Sequence, residues 1–123
     1  MSKDNSDREI ALETRTMKDA RLHSPSAARN RDAIRDIFLK HMPKSGTIVE
    51  VGSGTGEHVA HLAAAAPGLR FRPGDPDAVS RASIAAWTEF HSLANIATPH
   101  DVDVAAANWH GAFEPCGGVL SIN

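Results

Sequence analysis

The sequence predicts an α/β protein with a parallel sheet, and three observations lead to that fold class. Short segments rich in β-branched or aromatic residues alternate with helical segments along the chain. One apolar strand runs directly into a glycine-rich loop and a helix, in the stretch VEVGSGTGEH. The 123 residues, 41% of them apolar, suffice for one small domain and its core. Strands and helices in this alternation build a parallel sheet with right-handed crossovers.

Charge and composition narrow the class of partner and the compartment. The 13 basic and 15 acidic residues give a net charge of -2, which carries no clear signal for nucleic acid or a membrane surface, so a small partner is expected. No apolar stretch approaches the roughly 20 residues that span a bilayer, and the start MSKDNSDREI is charged where a signal peptide is apolar. The single Cys116 fits a reducing compartment. We expect a cytoplasmic protein.

The N-terminal segment differs in composition from the rest. Residues 1–22 are rich in charge and poor in large apolar side chains, which predicts a disordered tail ahead of a domain over residues 23–123. Either Met1 or Met17 can be the natural start. From Ser24 the pattern predicts an amphipathic helix, with Ser24 as its cap and proline in the first turn, ending before Pro43.

The remaining elements follow in alternation. The β-branched residues of TIVEV predict a buried strand. The next segment, GEHVAHLAAAA, is predicted to be a helix that ends at a Pro-Gly pair. A second strand is LRFR, and a helix runs from Pro76 to about Phe90. NIATPHDVDV supplies the third strand with its exit loop, and VLSIN starts a fourth.

The glycine loop indicates a ligand site. A strand, a glycine-rich turn and a helix in this order place backbone N–H groups and the positive end of a helix at the carboxyl edge of the sheet. The spacing E-x-G-x-G-x-G runs from Glu50 to Gly56. A dinucleotide fingerprint would need its third glycine at Glu57, and no Gly-Lys-Ser or Gly-Lys-Thr closes the loop. The loop therefore disfavours NAD and nucleoside triphosphates.

This acid-led pattern resembles motif I of the class I methyltransferases, which bind S-adenosylmethionine. The resemblance implies that Glu50 engages the methionine end of the cofactor. It also implies that the loop residues let the backbone approach the cofactor (Gly52, Ser53, Gly54 and Gly56). A carboxylate at Glu50 suits the positive charge of a sulfonium ligand. The alternative is a plain strand-to-helix turn with glycines for tightness.

Two further acids are candidates for the cofactor site. The acid that follows the second strand, about 20 residues after the loop, should accept the ribose hydroxyls. Asp75 takes that place, with Asp77 as its neighbour, and either could cap the next helix, for which Pro76 makes Asp75 a good N-cap. After the third strand, Asp103, a better match than its neighbour Asp101, is expected to meet the adenine amino group; a solvated turn acid is the alternative.

A narrower resemblance rests on several motifs in order. SPSAARNRDAI, VEVGSGTGEH, DPD, SIAAW, DVDV followed by Trp109, and SIN look like the family called methyltransferase-like twenty-six, once known only as a domain of unknown function. The resemblance covers residues 17–123 and implies a Rossmann-like class I methyltransferase fold. It also implies S-adenosylmethionine as cofactor and leaves the methyl acceptor unknown.

In that fold, flanking helices cover a partial parallel sheet of strand order 3-2-1-4. The family continues past Asn123, so the chain looks C-terminally truncated and residues 23–123 would be the N-terminal part of a methyltransferase-like domain. An exposed fourth strand would then invite self-association. Two functions stay open, a methyltransferase represented by its cofactor-binding half and a non-catalytic S-adenosylmethionine-binding or interaction module.

Helix residues near the loop complete the candidates. Arg29 and Asn30 lie on the first helix, which covers the pocket in related folds, and a solvated helix face is the alternative for both. His58 lies at the start of the second helix, near the expected pocket. His58 and His61 are spaced poorly for a metal-binding helix and have no third ligand, so no metal is expected.

Overall fold

Helices and strands alternate along residues 16–122, the part of the chain that the computed structural model describes. A short antiparallel hairpin of β1 (Thr16–Lys18) and β2 (Arg21–His23) comes first. The elements that follow are α1 (Pro25–His41), β3 (Gly46–Val51), α2 (Glu57–Ala65), β4 (Leu69–Gly74), α3 (Ala78–Phe90), a short 3-10 helix (Trp109–Ala112) and β5 (Gly118–Ser121). The predicted α/β alternation is confirmed.

The main sheet is parallel, with strand order β4-β3-β5. On the free side of β4, isolated parallel bridges join Phe71 to Ile96 and Gly74 to His100. We call residues 95–100 the edge segment, and it corresponds to the predicted third strand. The predicted order 3-2-1-4 is therefore confirmed, with the third strand reduced to two bridges.

Pro99 accounts for the irregular pairing of the edge segment. The Ala97 N–H donates to the Phe71 carbonyl at 2.9 Å. The next donor in a regular ladder would be residue 99, but proline has no N–H. His100 donates instead to the Pro73 carbonyl at 3.0 Å. The edge segment thus takes four steps, from Ile96 to His100, where β4 takes three, which is the geometry of a bulge.

The hydrophobic core joins all three helices to one face of the sheet. Ile48 and Phe71 are register partners, so their side chains lie on the same face, and both are fully buried. Each helix contributes a buried side chain to this cluster (Phe38, Leu62 and Ile84). Glu50, two residues beyond Ile48 on the same strand, lies on this helix-bearing face as well.

The structure changes the predicted N-terminal boundary. Of the predicted tail, residues 1–15 lie outside the described residues. Residues 16–23 form the hairpin, in which Arg21 and Leu22 are buried. The Arg21 guanidinium lies 3.7 Å from the centre of the Phe90 ring and pairs with Asp19 at 3.3 Å. This segment belongs to the fold, because contacts distant in sequence bury a stretch whose own composition is polar.

Candidate functional site

Three glycines with left-handed backbone conformation shape the loop after β3. Gly52, Gly54 and Gly56 have φ angles of 63°, 57° and 88°. A side chain at Gly52 or Gly54 would meet no protein atom within 4 Å, whereas one at Gly56 would lie 2.7 Å from the Ile84 backbone. Gly56 therefore permits close packing of α2 against α3, and the first two glycines leave open space beside the loop.

Ser53 fastens the loop to the end of β4. Its N–H donates to the Gly74 carbonyl at 2.9 Å, and its hydroxyl accepts the Gly74 N–H at 3.0 Å. The same hydroxyl donates to the Glu50 carbonyl at 3.4 Å. Ser53 is buried, and its hydrogen bonds hold the loop in place between Gly52 and Gly54, the two glycines that adjoin open space.

Glu50 is a buried acid at the end of β3, with 1% of its surface exposed. Its Oε1 has no hydrogen-bond partner among residues 16–122. Burial raises the pKa of Glu50 to about 7; the Ser53 hydroxyl opposes this rise and the negative charge of Asp75 adds to it. A buried carboxyl oxygen without a partner is unfavourable for folding, so Glu50 is a strong candidate for contact with a ligand.

Asp75 follows β4 directly and lies against the glycine loop. Its Oδ2 accepts the Gly54 N–H at 3.0 Å, and its Oδ1 accepts the Asp77 N–H at 2.9 Å. The residue is half-buried, and each carboxylate oxygen keeps a lone pair for a further donor. The fold thus brings Asp75 and the glycine loop together.

Asp77, rather than Asp75, caps α3. Its carboxylate accepts the Ser80 N–H at 3.0 Å and the Ser80 hydroxyl at 2.8 Å. The helix begins at Ala78, two residues later than expected. The expectation that Pro76 makes Asp75 the N-cap is wrong, because the Asp75 carboxylate is turned toward the Gly54 N–H.

The acids beyond the edge segment are held more loosely. Asp103 is exposed, and its Oδ1 accepts the Ala105 N–H at 2.9 Å in a local turn. Asp101 is also exposed and lies 3.3 Å from Arg81, which donates to the Asp75 carbonyl at 2.9 Å. Within the described part of the chain, no hydrogen bond joins Asp103 to the glycine loop.

Glu57 has a role that sequence reasoning missed. It occupies the position of the absent fingerprint glycine and is buried, 7% exposed. Its Oε1 accepts the Ser24 N–H at 2.6 Å and the Thr55 hydroxyl at 2.9 Å. Because Ser24 caps α1, this carboxylate joins the start of α1 to the glycine loop. An acid in the first turn of a helix is usually explained by the helix dipole alone, so the pattern carried no signal for this contact.

A second link between the N-terminal segment and the loop passes through α3. The buried Ser83 hydroxyl donates to the Thr55 carbonyl at 2.5 Å and accepts the Leu22 N–H at 2.8 Å. The Trp87 indole N–H donates to the Leu22 carbonyl at 2.9 Å. Residues 22–24 are therefore bound to α3 at one end and to Glu57 at the other.

The three pocket candidates on helices fall into two kinds. Arg29 is exposed and donates to the Ser26 hydroxyl at 3.2 Å. Asn30 and His58 are half-buried, and the buried atoms Asn30 Oδ1 and His58 Nδ1 have no hydrogen-bond partner among the described residues. Burial lowers the pKa of His58, and the neighbouring His61 lowers it further, so both effects favour the neutral ring.

A metal site and a membrane-spanning helix are two further features to consider in the same residues. No group of three or more His, Cys, Asp or Glu residues within 16–122 is arranged to hold a metal ion. None of the helices in that range combines the length and apolar character needed to cross a membrane.

The carboxyl edge of β3 and β4 suits a small ligand with a positive charge and hydroxyl groups. Open space adjoins Gly52 and Gly54, Glu50 offers a carboxyl oxygen without a partner, and Asp75 offers carboxylate oxygens beside the loop. A phosphate group would meet two acids here, which disfavours a nucleotide phosphate. S-adenosylmethionine, with a sulfonium, an ammonium and a ribose, fits these groups.

Two solved methyltransferases and a third protein, solved with AdoMet, share this fold. Coclaurine N-methyltransferase, bound to N-methylheliamine and SAH, matches 74% of the chain with a TM-score of 0.62 and 15% identity, over 26% of its own length. The sugar N-methyltransferase KedS8 from a Streptoalloteichus species matches 100% of the chain with a TM-score of 0.53 and 19% identity, over 40% of its length. M. jannaschii TYW2, in complex with AdoMet, matches 73% with a TM-score of 0.52 and 15% identity, over 44% of its length.

The chain therefore has the Rossmann-like fold of methyltransferases, and it spans less than half the length of these three proteins. Its particular family is shown by a match over residues 21–123 to the family DUF938, described as a protein of unknown function. The chain belongs to that family.

Proposed function

We propose that the chain binds S-adenosylmethionine and forms the cofactor-binding part of a methyltransferase. The observation that carries the proposal is the buried Glu50, whose Oε1 has no hydrogen-bond partner among residues 16–122, at the end of β3 where the glycine loop begins. The similar fold of coclaurine N-methyltransferase, solved with SAH, and of TYW2, solved with AdoMet, supports the same cofactor class.

Each candidate residue has a distinct role in this proposal. Glu50 pairs with the positively charged methionine end, and Asp75 accepts from the ribose hydroxyls. The loop residues allow the close approach (Gly52, Ser53, Gly54 and Gly56). Asp103 is assigned to the adenine side on its sequence position alone. When bound, the cofactor supplies a methyl group already activated by the sulfonium charge, so the work of the chain is positioning.

The finer assignments rest on the sequence. The order of motifs over residues 17–123 supports membership of the methyltransferase-like twenty-six family. A cytoplasmic location stays a prediction. Self-association through β5 also stays a prediction. Among the described residues β5 pairs only with β3, and Val119 on β5 is 57% exposed, which is consistent with an available edge.

Calorimetry with S-adenosylhomocysteine and with NAD tests the proposal. We expect binding of S-adenosylhomocysteine and at least tenfold weaker binding of NAD, because Glu50 and Asp75 repel a pyrophosphate. Gly54→Val should abolish binding, since its side chain would enter the open space beside the loop.

Gly46→Val is the matched control for Gly54→Val. Gly46 also has a positive φ, 104°, and open space around its Cβ position, but it lies at the opposite end of β3. The Gly46→Val variant should keep its affinity for S-adenosylhomocysteine within about twofold of the parent chain's. Tighter binding of NAD, or equal loss of binding in the two variants, would refute the cofactor assignment.

A further inference from the structure

We propose that the edge segment is a docking site for a basic, extended peptide, which pairs with its free side as a further strand. The edge segment, residues 95–100, is bridged to β4 on one side only. A groove of about 420 Å³ lies between the edge segment and the second half of α3. None of the residues assigned to the cofactor lines this groove, so it is a separate surface.

The backbone of the edge segment directs hydrogen-bonding groups away from β4. The Asn95 carbonyl accepts the Phe71 N–H at 2.8 Å, and the Ala97 N–H donates to the Phe71 carbonyl at 2.9 Å. Because successive residues of a strand direct these groups to opposite sides, the Ile96 N–H and carbonyl point away from β4. In the described part of the chain, the backbone groups of Ile96 and of the exposed Thr98 form no hydrogen bond. An extended peptide supplies donors and acceptors at the spacing that such a strand requires.

Pro99 does not block this free side, although proline often prevents pairing at the edge of a sheet. The N–H that proline lacks would have pointed toward β4, where His100 donates to the Pro73 carbonyl instead, at 3.0 Å. Ile96 and Thr98, whose backbone groups are unpaired, both carry an N–H. The sequence of the segment, NIATPH, also contains no lysine and no acid, the charges that commonly oppose edge pairing. The free side is therefore open to a further strand.

The groove offers a place for the side chains of the added strand. Its α3 wall is a single helical stripe (Ala85, Thr88, Glu89 and Ser92), and its other wall is residues 96–99 of the edge segment. Every second side chain of a strand points to the same face, so alternate side chains of the peptide enter the groove. The apolar side chains of Leu93, Ile96 and Pro99 line it, which favours branched apolar side chains at those alternate positions.

The charges beside the groove favour a basic partner. Glu89 is an exposed acid of the lining, and its carboxylate pairs with no cation in the part of the chain that the structure describes. It lies in the last turn of α3, where the helix dipole adds negative charge. Arg81, one turn before Ala85, is paired with Asp101 at 3.3 Å. A lysine or arginine of the peptide is therefore attracted, and an acid is repelled.

Titrations of the 123-residue chain with a fluorescein-labelled peptide, Lys-Thr-Val-Thr-Val-Lys, followed by fluorescence anisotropy, test the site. Two matched peptides are compared with it, one N-methylated on every backbone amide and one with glutamate in place of both lysines. The N-methylated peptide should bind at least about tenfold more weakly, because it has no backbone N–H to donate. The glutamate peptide should also bind at least about tenfold more weakly, because it meets the Glu89 carboxylate.

Three variants of the chain locate the binding. Thr98→Pro removes an N–H that bonds nothing within the described residues, so it should weaken the basic peptide at least about tenfold without lowering the melting temperature. Thr98→Val keeps that N–H and is the matched control, with an affinity within about twofold of the parent chain's. Ala85→Arg puts a long cationic side chain into the groove and should weaken the peptide at least about tenfold. All three should keep S-adenosylhomocysteine affinity within about twofold.

Each other outcome has a defined meaning. Equal binding of the basic peptide and either matched peptide would overturn the proposal, as would unchanged affinity in both Thr98→Pro and Ala85→Arg. A dimer in sedimentation that Ala85→Arg dissociates would assign the edge segment to a second copy of the chain and also overturn it. If Thr98→Pro does not fold, Ala85→Arg and the N-methylated peptide decide. If S-adenosylhomocysteine does not bind while these peptide results hold, the docking site stands and the cofactor proposal fails.

Discussion

The two sides of β4 hold their candidate residues in different ways. Toward β3, the glycine loop is fixed by backbone and side-chain hydrogen bonds of 2.9 to 3.0 Å that join Ser53 to Gly74 and Gly54 to Asp75. Toward the edge segment, backbone hydrogen bonds of 2.8 to 3.0 Å hold residues 95–100 to β4, but Asp103 beyond them is exposed in its own turn. The difference teaches that the acids on the side of β3 are held in place by the fold, whereas Asp103 on the other side is held only by its own turn.

Overpacking the glycine loop should have the largest effect on stability. Gly56→Val would bring a branched side chain against the Ile84 backbone in a left-handed conformation, and we expect a loss of at least about 3 kcal/mol in unfolding free energy. Gly111→Val, in the short 3-10 helix and with open space at its Cβ position, should change stability by less than about 1 kcal/mol. Denaturant unfolding measures both, and equal losses would remove the contrast between the regions.

Breaking the link from α1 to the glycine loop should have the next largest effect on stability. Glu57→Leu leaves the Ser24 N–H and the Thr55 hydroxyl without their acceptor and should cost about 2 to 4 kcal/mol in unfolding free energy. Glu57→Gln keeps a carbonyl oxygen at that place and should recover most of the loss. If thermal melting ranks Gln no better than Leu, the hydrogen-bonding account of Glu57 is wrong.

The acids on the two sides of β4 should differ in their effect on ligand affinity. Asp75→Ala should weaken S-adenosylhomocysteine binding by about 1.5 to 3 kcal/mol, the range for charge-assisted hydrogen bonds. Asp103→Ala should weaken it by less than about 0.5 kcal/mol, because this acid is exposed. Calorimetry on both variants sharpens the comparison. A larger loss of affinity in Asp103→Ala than in Asp75→Ala would mean that the side of the edge segment carries the main cofactor contact. A larger loss in Asp77→Ala than in Asp75→Ala would move the ribose contact to the N-cap of α3.

The raised pKa of Glu50 should have a smaller effect on stability than the substitutions at Gly56 and Glu57. Its pKa rises from 4.5 to about 7 on folding, so the folded chain binds more protons between these values. The free energy of unfolding contributed by this group therefore falls as pH rises from about 4.5 to about 7, and is level above that. Glu50→Gln should be more stable than the parent by about 1 to 2 kcal/mol at pH 8 and nearly equal at pH 5.

Thermal or urea unfolding at both pH values checks this, with Glu114→Gln as a control at an exposed acid. The control should follow the parent at both pH values. A parent that gains stability between pH 5 and pH 8 relative to Glu50→Gln would contradict the assigned burial.

Local patterns predicted the side of β3 well. The β-branched strand, the spacing from Glu50 to Gly56 and the cap at Ser24 act over a few residues, and the structure has each of them. The position of Asp75 against the loop follows from the parallel pairing of β3 and β4, which the alternation of elements already implies.

Contacts between distant residues were not predictable in the same way. The burial of Leu22 depends on Ser83 and Trp87, and the burial of Glu57 depends on the Ser24 N–H, each more than thirty positions away. The cap of α3 also moved to Asp77, because Asp75 bonds the Gly54 N–H across the sheet edge. Composition and residue spacing do not indicate which distant residues will be in contact.

The pH dependence of S-adenosylmethionine affinity tests most directly whether Glu50 meets a cationic ligand. A cation favours the ionised carboxylate, so binding must displace the proton that Glu50 holds below pH 7. The dissociation constant should fall about tenfold between pH 6 and pH 8 in the parent, whereas Glu50→Gln should bind more weakly with no such slope. Equal affinity of the parent at both pH values, or the same slope in Glu50→Gln, would contradict the account.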